Sequence, residues 1–184
     1  ITGSSGFVGR HLVKALQARH VVTYEYSGRG DSLCDPLRLH ERMQIAQPDV
    51  VYHLAAHANV RVSAGDSALV FESNTRGTFN VLEAMRLAGY KRIIFASSCS
   101  VYGEPTSFPS GEYTSAMPVQ TSLYGASKLA GEALIQAYNS TYGFQGTIMR
   151  LVSQIGPGQT RGHLPDLFEK LRLTPTQLHV MGNG

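Results

Sequence analysis

Three glycines spaced three apart, Gly3, Gly6 and Gly9, stand at the start of the chain, directly before the helically spaced apolar residues Leu12, Val13 and Leu16. No other stretch constrains the backbone as strongly. Without side chains at these positions, a strand can turn tightly into a helix, and a ligand or a second segment can approach the turn closely. The amino end of the following helix favours an anion, so the turn suits a phosphate. It is not a Walker loop, because no Gly-Lys-Ser/Thr follows. Ile1-Thr2 reads as the tail of a first strand whose beginning is expected to precede Ile1.

Beyond the turn, strand and helix patterns alternate, the order of parallel βαβ units and an α/β fold. Residues 21–25 read as a second strand, 38–46 as a short helix and 49–54 as a buried strand. A long helix is predicted over 68–87, with Val70, Phe71, Val81, Leu82 and Met85 as its apolar stripe. Strands follow over 92–96, 144–152 and 178–181, and helices over 124–138 and 164–171. Residues 103–118 are rich in Gly, Pro and Ser and form a long loop of the kind that is usually functional. The 184 residues support one domain with a sizeable core. We assign 1–152 to the sheet domain and 153–184 to the start of a small, incomplete substrate-binding region, since the chain stops in a turn signal.

Bulk properties exclude several classes. A net charge of +3, dispersed along the chain, does not argue for nucleic acid. No apolar run reaches membrane-spanning length, so no membrane partner is expected. Cys34 and Cys99 are the only cysteines, too few for a disulfide framework, which fits a reducing, cytoplasmic setting. His53 and His57 are four apart but straddle a strand end, where side chains alternate, so no metal is expected.

Two further segments carry chemistry. Ser98 ends the strand over 92–96 and its extension, where open α/β sheets place ligands, whereas the hydroxyls of Ser97 and Ser100 are expected to satisfy strand-end backbone groups. Tyr124 and Lys128 are four apart on a helix and so share a face. An ammonium beside a phenol stabilises phenolate and lowers its pKa from about 10, making Tyr a usable base. Glu25, at the end of the second predicted strand, is placed to accept hydrogen bonds from an adenosine ribose diol and to repel a 2′-phosphate, which favours NAD over NADP; Arg29 nearby argues the opposite.

Together the segments Thr2-Gly3-x-x-Gly6-Phe7-Val8-Gly9, His53-Leu54-Ala55-Ala56, Asn74-x-x-Gly77-Thr78, Ser97-Ser98-x-x-Val101-Tyr102-Gly103 and Tyr124-Gly125-x-Ser127-Lys128-x-x-x-Glu132 closely resemble the extended short-chain dehydrogenase/reductase family, and within it the NAD-dependent epimerase/dehydratase group. The resemblance implies a Rossmann-type doubly wound parallel sheet with NAD as cofactor. It implies that Gly3, Gly6, Phe7, Val8 and Gly9 hold the pyrophosphate, that Leu54, Ala55 and Ala56 line the cofactor, and that Asn74 faces it from a helix. Ser98, Tyr124 and Lys128 would be the catalytic three.

Subgroup features differ. Sugar-nucleotide 4,6-dehydratases of the family carry Asp-Glu after the catalytic Ser/Thr, and decarboxylating relatives carry Glu at the second position. Cys99 and Ser100 stand here, as small residues do in UDP-hexose 4-epimerases. Ser153 and His163 occupy positions where those epimerases contact the nucleotide sugar through Asn, and the Asp usually set against adenine is displaced to Asp31 or replaced by Ser32. The expected activity is a UDP-hexose 4-epimerase-like reaction on a nucleotide sugar, with a homodimer as the assembly. The alternatives are an NAD(P)-dependent reductase or dehydrogenase of a keto-sugar or related carbonyl, and a non-catalytic dinucleotide-binding regulator.

Overall fold

Residues 1–3 lie between two neighbouring stretches and pair with both. On one side Ile1 N donates to Tyr24 O (2.8 Å), Tyr26 N to Ile1 O (2.9 Å) and Gly3 N to Tyr26 O (2.9 Å). On the other, Thr2 N donates to Tyr52 O (2.9 Å) and Leu54 N to Thr2 O (3.2 Å). Thr2 therefore forms parallel bridges to Tyr26 and His53. The structure is a computed structural model that describes residues 1–27, 32–58, 66–104, 111, 120–160 and 162–178.

The chain packs as two units, Ile1–Val152 and Ser153–Gly184. In the first, helix α1 spans Phe7–Gln17. Helix α2, Pro36–Ala46, starts on the Asp35 carboxylate, which accepts from Arg38 N, with Pro36 where a missing N–H costs nothing. Strand β1 is Val51–His53. Helix α3, Ser67–Val70, is capped by Asp66 and continues through a π-helical segment, Phe71–Arg76, into α4, Gly77–Ala88. Strand β2, Arg92–Ser98, leads into a 3₁₀ turn, Cys99–Tyr102. Helix α5, Leu123–Tyr142, precedes strand β3, Gln145–Leu151.

The sheet order is β1-β2-β3, all parallel, with His53 opposite Phe95 and Ser97 opposite Arg150. Each crossover passes through a helix, as parallel connections require. The core joins Leu39 and Met43 of α2, Val81, Leu82 and Met85 of α4, Ile93 and Phe95 of β2, and Ile135 and Tyr138 of α5. Burying side chains of this size stabilises by about 1.5–3 kcal/mol each. Helix α5 lies directly on the sheet at Gly131, where a Cβ would come within 2.5 Å of Phe95 Cζ.

Several predicted elements differ from those observed. Residues 21–25 are not a strand. Their pairing is confined to Tyr24–Tyr26 against Ile1–Gly3, too short for a ladder, and Val21, Val22 and Tyr24 are exposed. They line an apolar cleft of about 550 Å³ shared with Met43, Ile45 and Val51, and Ser98, Tyr124 and Lys128 are not among its lining residues. The strand over 49–54 narrows to Val51–His53. The long helix extends over 67–88 but contains the π segment, and Phe71, assigned to its apolar stripe, is 57% exposed. A π turn takes up extra residues, so the phase of the stripe slips there. Most of the 103–118 loop lies outside the described residues, as do Arg29 and Asp31. The predicted strand over 178–181 also falls there, save for Leu178, which is in no strand.

The second unit carries helix α6, His163–Leu173, in which Arg172 and Glu169 pair (2.7 Å). Among the described residues no helix is long and apolar enough to cross a membrane.

Candidate cofactor and catalytic site

The glycine turn is built against the loop that follows β1. Gly3 has φ 71°, which L side chains rarely adopt, and a Cβ there would lie 2.7 Å from Ala55 N. A Cβ on Gly9 would lie 2.2 Å from Gly3 O. Both positions therefore exclude a side chain by contact with backbone, which does not yield. Gly6 caps α1 without a side chain, and the first turn, beginning Phe7, Val8 and Gly9, holds no acidic residue. The positive end of the helix dipole is thus left to an anion. Among the described residues, the buried Ser4 Oγ and His57 Nε2 on these segments have no hydrogen-bond partner. Each leaves a desolvated group for a ligand to satisfy.

Leu54, Ala55 and Ala56 are half-buried in this loop. Asn74, expected to face the cofactor, instead spends its side chain on protein. Its Oδ1 accepts from His57 N (2.7 Å), and its Nδ2 donates to His57 O (3.2 Å) and Ser127 Oγ (2.9 Å). Asn74 therefore fixes the loop after β1 to helix α5. Glu25 is exposed, one residue before the Tyr26 bridge and not at the end of a strand.

Ser98 terminates β2, and Ser122 caps α5 by accepting from Gly125 N (3.0 Å). This cap places Tyr124 in the first turn and Lys128 one turn on. The Tyr124 phenol and the Ser98 hydroxyl are within hydrogen-bonding reach. Lys128 Nζ lies 5.9 Å from the Tyr124 ring centroid, so the three predicted catalytic residues do converge. Lys128 is 4% exposed; its Nζ donates to Ala96 O (2.7 Å) and lies 4.9 Å from the centre of the Phe95 ring.

The electrostatics depart from the sequence expectation. Burial raises the Tyr124 phenol above its ordinary value, partly offset by the Ser98 hydrogen bond. Burial lowers Lys128 to about 8. Burial outweighs any lowering of the phenol, and the Lys128 ammonium donates to the Ala96 carbonyl. The free chain thus holds Tyr124 as a neutral phenol, the form that donates a proton. A basic form calls for more positive charge at the phenol than Lys128 supplies from this position.

Ser98, not Ser97 or Ser100, satisfies strand-end backbone through its hydroxyl, accepting from Ser100 N (3.2 Å). Ser100 Oγ donates to Ser98 Oγ (3.0 Å), and Ser97 Oγ donates to Glu132 Oε1 (2.5 Å). Glu132, 2% exposed, also receives Arg150 Nη2 (2.8 Å) and Nε (3.0 Å), and Arg150 stacks over Tyr102 (4.8 Å). This group secures both ends of the turn after Ser98. The four-residue step from Lys128 to Glu132 was its one sequence signal. Ser153 is exposed and outside any helix or strand, and His163 opens α6; both belong to the second unit. The convergent site is built from the first unit alone.

A family model described as "NAD dependent epimerase/dehydratase family" matches residues 1–184. The chain belongs to this family. UDP-glucose 4-epimerase of Mycolicibacterium smegmatis is 33% identical over an alignment 208 positions long, covering 100% of this chain and 66% of that protein. GDP-6-deoxy-D-mannose reductase of Pseudomonas aeruginosa is 32% identical, covering 86% of this chain and 53% of that protein. Among solved structures, a UDP-glucose 4-epimerase of Thermus thermophilus in complex with NAD is 31% identical with a TM-score of 0.82, over 91% of this chain and 59% of that one. The α/β parallel sheet is accordingly of the Rossmann type. The chain spans about half to two thirds of the length of the curated relatives it matches. The family's cofactor is NAD, and the first unit fits it: the glycine cradle has no room for side chains, the helix start is uncapped by a side chain, and Ser4 and His57 offer unpaired polar atoms.

Proposed function

We propose that the full-length protein is an NAD-dependent nucleotide-sugar 4-epimerase acting on a UDP-hexose, with residues 1–152 binding the cofactor and 153–184 beginning the substrate region. The observation that carries this reading is the meeting of Ser98, Tyr124 and Lys128 at the carboxyl end of β2 and the first turns of α5. When bound, NAD would supply a reversible hydride acceptor, which passing between a C4 carbinol and its ketone requires. Tyr124 Oη accepts the C4 hydroxyl proton and gives it back. Ser98 Oγ hydrogen-bonds the same sugar oxygen. Lys128 holds the nicotinamide ribose and, in the loaded enzyme, keeps the Tyr124 pKa low. Gly3, Gly6, Phe7, Val8 and Gly9 hold the pyrophosphate, Leu54, Ala55 and Ala56 line the cofactor, and Glu25 selects NAD over NADP. Ser153 and His163 contact the nucleotide sugar.

Epimerisation is favoured over dehydration by the two residues next to Ser98. Cys99 is exposed, and Ser100 is engaged with Ser98, so neither is a carboxylic acid able to expel water. The similarity to a reductase supports a second reading, net reduction of a keto-sugar by the same three residues. A homodimer and a cytoplasmic location complete the proposal.

The test is turnover of UDP-glucose by the full-length protein, with NAD and NADP affinities measured alongside. We expect UDP-galactose to form without net consumption of NAD(H), and NAD to bind more tightly than NADP. Tyr124→Phe is expected to lower kcat by at least about a hundredfold while NAD stays bound. Near-normal turnover in that variant, or stoichiometric oxidation of NAD(P)H, overturns the epimerase reading.

A further inference from the structure

His53 is fully buried on β1, yet its ring is hydrogen-bonded on both sides. Nδ1 lies 2.6 Å from Thr2 Oγ1, in the strand tail that enters the glycine turn. Nε2 lies 3.0 Å from Thr78 Oγ1, in the first turn of α4. The partners decide the tautomer. Thr78 commits its only hydroxyl proton to Asn74 O (2.6 Å), so Thr78 Oγ1 accepts, and Nε2 carries the hydrogen. Nδ1 is then an acceptor and takes the Thr2 hydroxyl proton. Thr2 Oγ1 in turn accepts from Ala55 N (3.3 Å). Burial first, and then the charge of Lys128, push the imidazole down to about 3, so it stays neutral at working pH.

The donors all point one way: Ala55 N–H to Thr2, Thr2 to His53, His53 to Thr78, Thr78 to the Asn74 carbonyl. Bonds aligned head to tail polarise one another. A second run starts at the same residue. Asn74 Nδ2 donates to Ser127 Oγ (2.9 Å), and Ser127 Oγ donates to Tyr124 O (2.8 Å). Asn74 lies within the π-helical segment, so the two runs meet where the helix departs from regular geometry.

We infer that His53 is a positioning residue, which as its Nε2–H tautomer ties the glycine turn to Asn74 and, through Ser127, to the backbone of Tyr124, so that cofactor binding and the placement of the phenol are coupled. The inference rests on the proposed function for the role of Tyr124, but not for the link between the turn and α5. No atom of His53 need touch cofactor or sugar.

The test uses the full-length protein with Thr78→Val, Thr78→Ser and Ser127→Ala. NAD affinity, kcat and KM for UDP-glucose, and the melting temperature are measured for each. Val fills the site but neither accepts from His53 nor donates to Asn74; Ser does both. Thr78→Val is expected to weaken NAD binding and to lower kcat, each on the order of tenfold, with KM within about twofold, as for a small misplacement of reacting groups. Thr78→Ser is expected to recover both to within about threefold. Ser127→Ala, at the far end, is expected to weaken NAD on the order of threefold, although distant sites ordinarily act independently. A Thr78→Val protein with lower melting temperature but wild-type NAD affinity and kcat overturns the inference, as does wild-type NAD affinity in Ser127→Ala. If the wild type turns over no UDP-sugar, the proposed function fails, and the two NAD affinities still decide this one. If Thr78→Val does not fold, ¹⁵N NMR of the wild type decides: a protonated Nδ1 at His53 near neutral pH overturns the relay, and Nε2–H alone supports it together with the Ser127→Ala affinity.

Discussion

Burial acts on Tyr124 and Lys128 in one sense: it favours the neutral form of each, raising the phenol and lowering the amine to about 8. Below pH 8, Lys128 keeps its charge in a nearly closed site, and a pKa lowered by one costs the charged form about 1.4 kcal/mol. The Ala96 carbonyl and the Phe95 ring face return only part of that. The charged Lys128 thus costs stability at neutral pH. We predict that Lys128→Met raises stability at pH 7 by about 1–3 kcal/mol, measured by urea unfolding, while NAD affinity falls at least about tenfold. The sign comes from linkage. The folded pKa lies below the unfolded value of 10.5, so the unfolded chain binds more protons between pH 8 and 10.5, and wild-type stability rises across that window. The advantage of the Met variant is therefore full below pH 8 and fades above it. A less stable Met variant at pH 7 would show that the Ala96 and Phe95 contacts outweigh the burial cost.

At the scale of elements, two periodicities assemble the site. On β2 successive side chains alternate, which sends Ser97 inward to Glu132 and Ser98 outward to Tyr124. On α5 the four-residue step aligns Tyr124, Lys128 and Glu132 along one face. These steps are written in the sequence, which is why the convergence of Ser98, Tyr124 and Lys128 was legible. Arg150 was not, because its place beside Glu132 depends on the register that sets it opposite Ser97. The π segment was illegible for a related reason: apolar spacing reports a helix but not an extra residue taken up at Asn74, where side-chain bonds to His57 and Ser127 fix the geometry. Residues 21–25 have the alternation of a strand, but a strand exists only where a neighbour pairs with it, and Tyr26 alone bridges. The Glu132 group yields a prediction that separates packing from chemistry. Glu132→Ala removes the partner of a guanidinium that is 23% exposed, and is expected to cost about 2–4 kcal/mol in urea unfolding. Ser97→Ala, which leaves the ion pair intact, is expected to cost about 1 kcal/mol. Equal losses would mean that the Ser97 bond, not the ion pair to Arg150, secures α5 to the sheet.

For the molecule as a whole, the charged groups with shifted pKa values set the shape of stability against pH. His53 is held neutral, with a folded value of about 3 against 6.5 unfolded. Between those values the unfolded chain binds a proton that the folded chain refuses, so stability falls as pH drops from 6.5 towards 3. Glu83, lowered chiefly by its hydrogen bonds from Arg86, withdraws stability in the same direction as the pH falls through its own folded value. Tyr138 acts at the other extreme. Burial, and then its bond to Glu83, hold the phenol protonated beyond the pH at which the unfolded chain releases it, so above about pH 10 it opposes the gain from Lys128. Stability is therefore expected to climb from acid to about pH 6.5, hold through neutrality, and show no sustained rise above pH 10. The His53 share is isolated by comparison with His53→Gln. Gln lacks an ionisable ring, so its loss between pH 6.5 and 4.5 is expected to be smaller than that of the wild type, by more than about 1 kcal/mol if His53 alone refuses the proton over most of that interval. The difference in slope, not absolute stability, is the readout, because the substitution also disturbs the Thr2 and Thr78 bonds at every pH. Parallel curves for the two proteins would mean that His53 accepts a proton while folded, and that the bonds to Thr2 and Thr78 exchange direction instead of breaking.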